Sequence, residues 1–116
     1  MKRTEEHKMI AEFMGKEVEL IDGVYKEVGK DIHPQPLYYH DSWSWLMEVV
    51  ERIDKTPTVT STEEEKYYYC VSLMGSQVEV LDPKANTLII NIKIDETDWK
   101  KSTYEAVVAF ITWYNL

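Results

Sequence analysis

A single cysteine, Cys70, stands in the 116-residue chain, so no internal disulfide framework can hold the fold. One cysteine also agrees with a reducing compartment. Glycine is nearly as scarce: four in total leave a glycine-dependent phosphate cradle almost unavailable, and neither a nucleophile elbow nor a paired-cysteine motif occurs. The common cofactor sites therefore lack sequence support, and no catalytic signature is present. Long apolar runs are missing as well. The longest, Ala106 to Ile111, is far short of the roughly 20 residues a membrane helix requires. Residues Met1 to Lys8 mix both signs of charge and lead straight into Met9-Ile10-Ala11-Glu12-Phe13-Met14 without the apolar core of a signal peptide, so the expected location is the cytoplasm. Positive charge is in deficit too, with thirteen Lys and Arg against twenty-one Asp and Glu and a net charge of −8. Nonspecific nucleic-acid binding would need a local basic patch against that field and is disfavoured.

What is present is enough for one core. The hydrophobic fraction of 44% and the aromatic fraction of 12% exceed what a disordered chain carries, and the length suits a single domain over residues 1–116. Met9, Ile10, Phe13 and Met14 fall on one helical arc, with Thr4 as a cap and Gly15 as a left-handed stop. Asp22-Gly23 between two apolar stretches suits a tight hairpin turn. Gly29 to Pro36, with two prolines and no periodicity, reads as an extended connector.

The clearest element is a helix from Trp43 to Asp54, capped by Ser42 or Asp41. Its apolar arc is broad, with Trp43 and Trp45 at opposite edges, so one packing surface cannot cover both. From Thr58 the period changes to two. A short strand is expected at Thr58–Thr60, then three strands in a meander: Tyr67 to Met74, one around Val78 and Val80, and Leu88 to Ile94, joined at Gly75-Ser76 and Asp82 to Asn86. A last helix opens at Ser102 with Glu105 as a capping box. Apolar nearly all round, it must either lie between the sheet and another helix or close a contact with a second copy, which leaves a homodimer open.

Several stretches resemble the phage ABA-sandwich domain, a family of small phage and prophage proteins. They are Ile10 to Gly15, Tyr39-His40-Asp41-Ser42-Trp43-Ser44-Trp45-Leu46-Met47 with Val49-Val50-Glu51, and Ala106 to Asn115, about a quarter of the chain. The resemblance implies an α+β fold in alpha-beta-alpha layers, here an antiparallel sheet of about three to five strands packed with three helices. It implies no chemistry, because the family has no agreed active site.

Candidate sites weigh toward binding. His40 and Asp41 could ligate a metal or form a base with its orienting carboxylate, but His7 and His33 bear no helical or strand spacing to His40, so capping or packing is the favoured role and no metal site is assigned. Cys70 reads as a small buried residue, and Glu63, Glu64 and Glu65 as solvated carboxylates. The aromatics are the surplus. Tyr38, Tyr39, His40, Trp43 and Trp45 cluster at one helix start, and Tyr68 points away from Tyr67 and Tyr69 on its strand; these six are the expected binding residues. Core packing competes for them. The expected function is non-enzymatic binding of a macromolecular partner, of unknown identity, without a cofactor or a membrane. The alternative is sequestration of a small nucleotide signal between stacked rings, with Lys66, Lys93 and Lys100 supplying charge. A hydrolase using His40 and Asp41 ranks last.

Overall fold

Asp22 and Gly23 adopt φ of 51° and 84°, the two left-handed conformations that a type I′ turn demands. They close the expected hairpin between β1 (Glu17–Ile21) and β2 (Val24–Gly29), in register from Ile21↔Val24 to Glu17↔Val28. The computed structural model describes residues 2–59, 61–74, 77–93 and 98–116. Beyond β2 the expected connector is corrected. After a turn with Asp31 at φ 66°, β3 (Ile32–Pro36) runs antiparallel to β2, pairing Gly29↔Ile32 and Lys26↔Pro36. The prolines are tolerated because β3 is an edge of the β1-β2-β3 sheet, where an absent N–H need not break a ladder.

Helix α1 (Arg3–Phe13) packs on β1 and β2 and ends at Gly15, which has φ 78° as a left-handed stop requires. Its start differs from expectation. Thr4 lies inside the helix, Lys2 holds the cap position without a side-chain bond, and Glu5 and Glu6 in the first turn complement the free amides. Its buried residues are His7, Ile10 and Ala11; Met9, Phe13 and Met14 are only half-buried, so the inward face is rotated from the expected arc.

The second sheet is the expected antiparallel meander, β4 (Cys70–Met74), β5 (Gln77–Asp82) and β6 (Thr87–Lys93), in that spatial order. Val78 and Val80 are buried, and Val71, Leu73, Ile90 and Ile92 share their face. Asp82 Oδ1 accepts from the amides of Lys84 at 3.1 Å and Ala85 at 3.2 Å, which forms the turn into β6. Cys70 is exposed, not buried, because it alternates with Val71 onto the other face of this sheet, where its row partner Leu81 is followed by exposed Leu88.

The strand expected to open at Tyr67 begins only at Cys70. Ser61 Oγ accepts from the Tyr67 amide at 2.8 Å and donates to its carbonyl at 2.7 Å, folding the chain back so that Thr58 N reaches Tyr67 O at 2.8 Å and Tyr69 N reaches Thr56 O at 3.2 Å. The short strand expected at Thr58–Thr60 is reduced to a bridge between Pro57 and Tyr68. Thr60, the Gly75-Ser76 turn and Ile94 lie outside the described residues.

Helix α2 (Trp43–Asp54) buries Leu46, Val49, Val50 and Ile53, the arc its sequence marks. Helix α3 (Trp99–Tyr114) is capped four residues before the expected Ser102: Asp98 is the cap, its Oδ1 accepting from the Lys101 amide at 2.9 Å, and Ser102 is buried in the helix. An Asp accepts such a bond as well as a Ser does, and the earlier of two competent caps gives the longer helix. The chain is thus an α+β fold of three helices and two three-stranded antiparallel sheets among the described residues. α3 lies between the second sheet and the other two helices, the first of the two placements its apolar circumference allows. Ile10, Leu46, Val49, Ile53, Tyr69, Phe110 and Ile111 meet in one cluster where the three helices converge.

Candidate functional site

The turn that enters α2 is built by alternation. Leu37 and Tyr39 point into the core and Tyr38 points out, while the Tyr38 carbonyl accepts from the amides of Asp41 at 3.3 Å and Ser42 at 3.0 Å. Ser42 then caps α2, its Oγ accepting from the Trp45 amide at 3.4 Å. These bonds fix the direction in which each ring at the head of the helix leaves the backbone.

The two tryptophans separate as the breadth of the apolar arc implies. Trp45 is half-buried and T-shaped to the rings of Tyr38 at 5.4 Å and Tyr39 at 5.1 Å, with Lys16 Nζ 4.2 Å above its ring. Trp43, on the other edge, is 41% exposed, and Met47 one turn further along is exposed to the same degree. Tyr38 is 43% exposed. Tyr39 is wholly buried, its hydroxyl has no hydrogen-bond partner among the described residues, and burial first, then Glu27 and Glu48, pushes its pKa above the ordinary tyrosine value. It supports the turn from below and does not face solvent. Tyr68 is exposed but belongs to the segment bridged to Pro57, and among the described residues no ring contact joins it to the other five. Of the six expected residues, Tyr38, Tyr39, His40, Trp43 and Trp45 therefore gather at one helix head, with three different degrees of exposure.

His40 has a partner that sequence spacing did not supply. Its Nδ1 lies 3.1 Å from His7 Nε2 on α1, with ring centroids 4.9 Å apart, and its Nε2 lies 3.7 Å from Asp41 Oδ2. His7 is buried, with the rings of Tyr39 and Tyr104 set edgewise to it at 6.1 Å each. Burial is the main cause that lowers its pKa from 6.5 to about 4; His40 and Arg3 act in the same direction and Asp41 opposes them. Behind it, Tyr104 donates to Glu6 Oε1 at 2.8 Å while Arg3 lies 5.1 Å over the Tyr104 ring. Burial and the Glu6 bond raise the pKa of Tyr104. The signal for His7 was its place at i−3 and i−4 from Ile10 and Ala11, a buried helical face. Among the described residues, no three His, Cys, Asp or Glu side chains converge as metal ligands would.

A second feature was not visible in the sequence. A groove of about 1140 Å³ runs between α1 and the C-terminal ends of α2 and α3. Met9, Phe13 and Tyr114 supply apolar and aromatic wall, Lys8, Arg52 and Lys55 supply cations, and Glu5 and Glu12 supply carboxylates beside them. Lys8 approaches Glu12 at 3.9 Å and Lys55 binds Glu51 at 2.8 Å. The lining comes from three helices distant in sequence, so no local motif announces it. No helix of the described residues is long and apolar enough to cross a membrane. No protein-family model matches this chain, and comparison with curated proteins and with solved structures returned no match.

Proposed function

We propose that the chain is a non-enzymatic module that binds a macromolecular partner through the head and outer edge of α2. The observation that carries this is the stripe of Trp43 and Met47, one helical turn apart and each about two-fifths exposed, while four other residues of the same helix are buried. Large rings left outside a core supply rigid, amphipathic contact area, and such residues dominate binding energy when a partner covers them. Exposed Glu48 and Glu51 on the same helix and a net charge of −8 favour a protein partner with an apolar pocket and a basic rim. The resemblance to phage proteins supports a partner from a phage or its host, in the host cytoplasm.

Wild-type protein immobilised from an infected host should retain a defined protein, and Trp43→Ala should lose it by a factor of about ten or more, the size of a central aromatic contact. Tyr68→Ala, remote from the stripe, should retain it. Equal retention by wild type and Trp43→Ala refutes the reading. If the retained protein is the chain itself, light scattering will give a dimer that Trp43→Ala dissociates.

The groove beside α1 favours a second reading, a small anionic ligand such as a nucleotide held between rings and cations. The cations there are Lys8, Arg52 and Lys55 and not the expected Lys66, Lys93 and Lys100, the last of which donates to the Asp41 carbonyl at 3.2 Å. A nucleotide that raises the melting temperature of wild type but not of Arg52→Ala supports it. A flat response across a nucleotide panel removes it.

A further inference from the structure

We propose that His7 and His40 form a two-imidazole latch: it holds the turn of residues 37–42 against α1 while the pair carries at most one extra proton, and it releases the turn when both rings are charged. Each ring comes from a different element, His7 from α1 and His40 from the turn before α2, and their nitrogens meet at 3.1 Å. At that distance one nitrogen must donate and the other accept. In the neutral pair we assign the His40 proton to Nε2, the side of the Asp41 carboxylate, so that His40 Nδ1 accepts from His7 Nε2–H.

One added proton leaves the contact intact. A cationic N–H facing a neutral ring nitrogen is a charge-assisted bond, whichever ring holds the charge. A second proton makes both facing nitrogens N–H donors on cations 3.1 Å apart, and no acceptor remains between them. The neighbours do not rescue the doubly charged state. From α1, Arg3 adds positive charge and the Glu6 carboxylate is already engaged by Tyr104; from α3, the Tyr104 ring stands T-shaped to His7 at 6.1 Å and Lys100 binds the Asp41 carbonyl; from the turn, the Tyr39 ring stands T-shaped to His7 at 6.1 Å and the Asp41 carboxylate lies 3.7 Å from the outer nitrogen of His40. His7 is 9% exposed, so little water reaches its charge without a movement of α1 or the turn. The turn is the weaker side. It is a single turn of chain, anchored by the Leu37 and Tyr39 side chains but held at Tyr38 and His40 to Ser42 by the Tyr38 carbonyl and Lys100, whereas all eleven residues of α1 share one helical ladder that packs on β1, β2 and α3.

The same nitrogen spacing would suit two ligands of a tetrahedral metal ion. The flanking Tyr39 and Tyr104 rings, the nearby Arg3 and the lack of a third ligand among the described residues favour a shared proton. The latch does not rest on what α2 binds.

The test is nuclear magnetic resonance of the imidazole nitrogens of the intact chain with pH, together with amide hydrogen exchange of residues 38–42. The expected result is coupled titration of His7 and His40. Exchange protection in the turn should fall by about tenfold or more with the second proton, and not with the first. His7→Gln should remove that acid-dependent step; if this variant does not fold, His40→Gln, at the half-buried position, serves in its place. Independent titration of the two rings, or turn protection that does not change as the second proton binds, overturns the proposal. So does a stoichiometric zinc complex in which both facing nitrogens are ligands.

Discussion

Tyr39→Phe should stabilise this protein, although it deletes a polar group from the buried side of the turn. The Tyr39 side chain is wholly buried and its hydroxyl has no hydrogen-bond partner among the described residues. In the unfolded chain that hydroxyl is hydrated, so folding strips its water and returns nothing. Such an uncompensated group costs roughly 1–3 kcal/mol. Removing the oxygen leaves a void smaller than a methyl group, which takes back a fraction of that gain. The ring remains, and with it the edgewise contacts to Trp45 at 5.1 Å and His7 at 6.1 Å and the Lys16 ammonium 5.3 Å above it. The net expectation is a gain of about 1 kcal/mol, equivalent to a melting temperature higher by about 4 °C for a domain of this size. Urea unfolding at neutral pH measures it as a raised midpoint with an unchanged slope. A loss of stability in Tyr39→Phe refutes the reasoning, because it means that the hydroxyl is bonded in the folded protein.

Three further outcomes are expected. The unfolded chain takes up a proton on His7 near pH 6.5 and the folded chain only near pH 4, so the unfolded state binds more protons between those values. Stability is then fully present above pH 6.5 and falls as the pH drops toward 4, by roughly 3 kcal/mol in total; chemical denaturation of wild type and His7→Gln at pH 7 and pH 4.5 should show a smaller difference in the variant. Gly23→Ala places a side chain at φ 84° with no atom within 4 Å of the new Cβ, so backbone strain alone should destabilise the hairpin, by about 1 kcal/mol; an unchanged denaturation midpoint contradicts this. Val78→Ala, at a fully buried site facing α3, should cost on the order of 1–3 kcal/mol through lost burial and a cavity, and a smaller loss than at exposed Val59→Ala would reverse the assigned faces of β5.

Elements whose signals are local were readable in the chain. Asp22-Gly23 carries its turn in its own φ preferences, Ser42 and the arc of Leu46, Val49, Val50 and Ile53 carry α2, and the alternation of Val78 and Val80 carries β5. Misreadings arose where two local rules competed. Pro34 and Pro36 argued against a strand, but the ladder position of β3 made their missing amides harmless. Asp98 and Ser102 are both competent caps, and choosing between them depends on how far α3 can extend over the sheet. Tyr67 has the period of a strand, yet the Ser61 hydroxyl bonds both its backbone groups and turns that period to a different partner.

The candidate site divides along the same line. That Trp43 and Trp45 leave α2 on opposite edges follows from 100° per residue, and the structure shows which of the two the molecule covers: Trp45, because Lys16 and Tyr39 are on its side. The His7–His40 contact spans 33 residues and the Tyr104–Glu6 bond 98, separations at which no periodicity acts. Both were still constrained in part. A histidine three and four residues before Ile10 and Ala11 is on a buried face, and a buried imidazole must find a partner or remain neutral. Only a group from another element can satisfy it, since its own helix uses the nearby backbone acceptors. The turn before α2 supplies that group because Tyr39 is drawn into the core and carries His40 against α1. The same Tyr39 anchor therefore sets both the imidazole pair and the outward placement of Tyr38, so a substitution that loosens Tyr39 should disturb the two together.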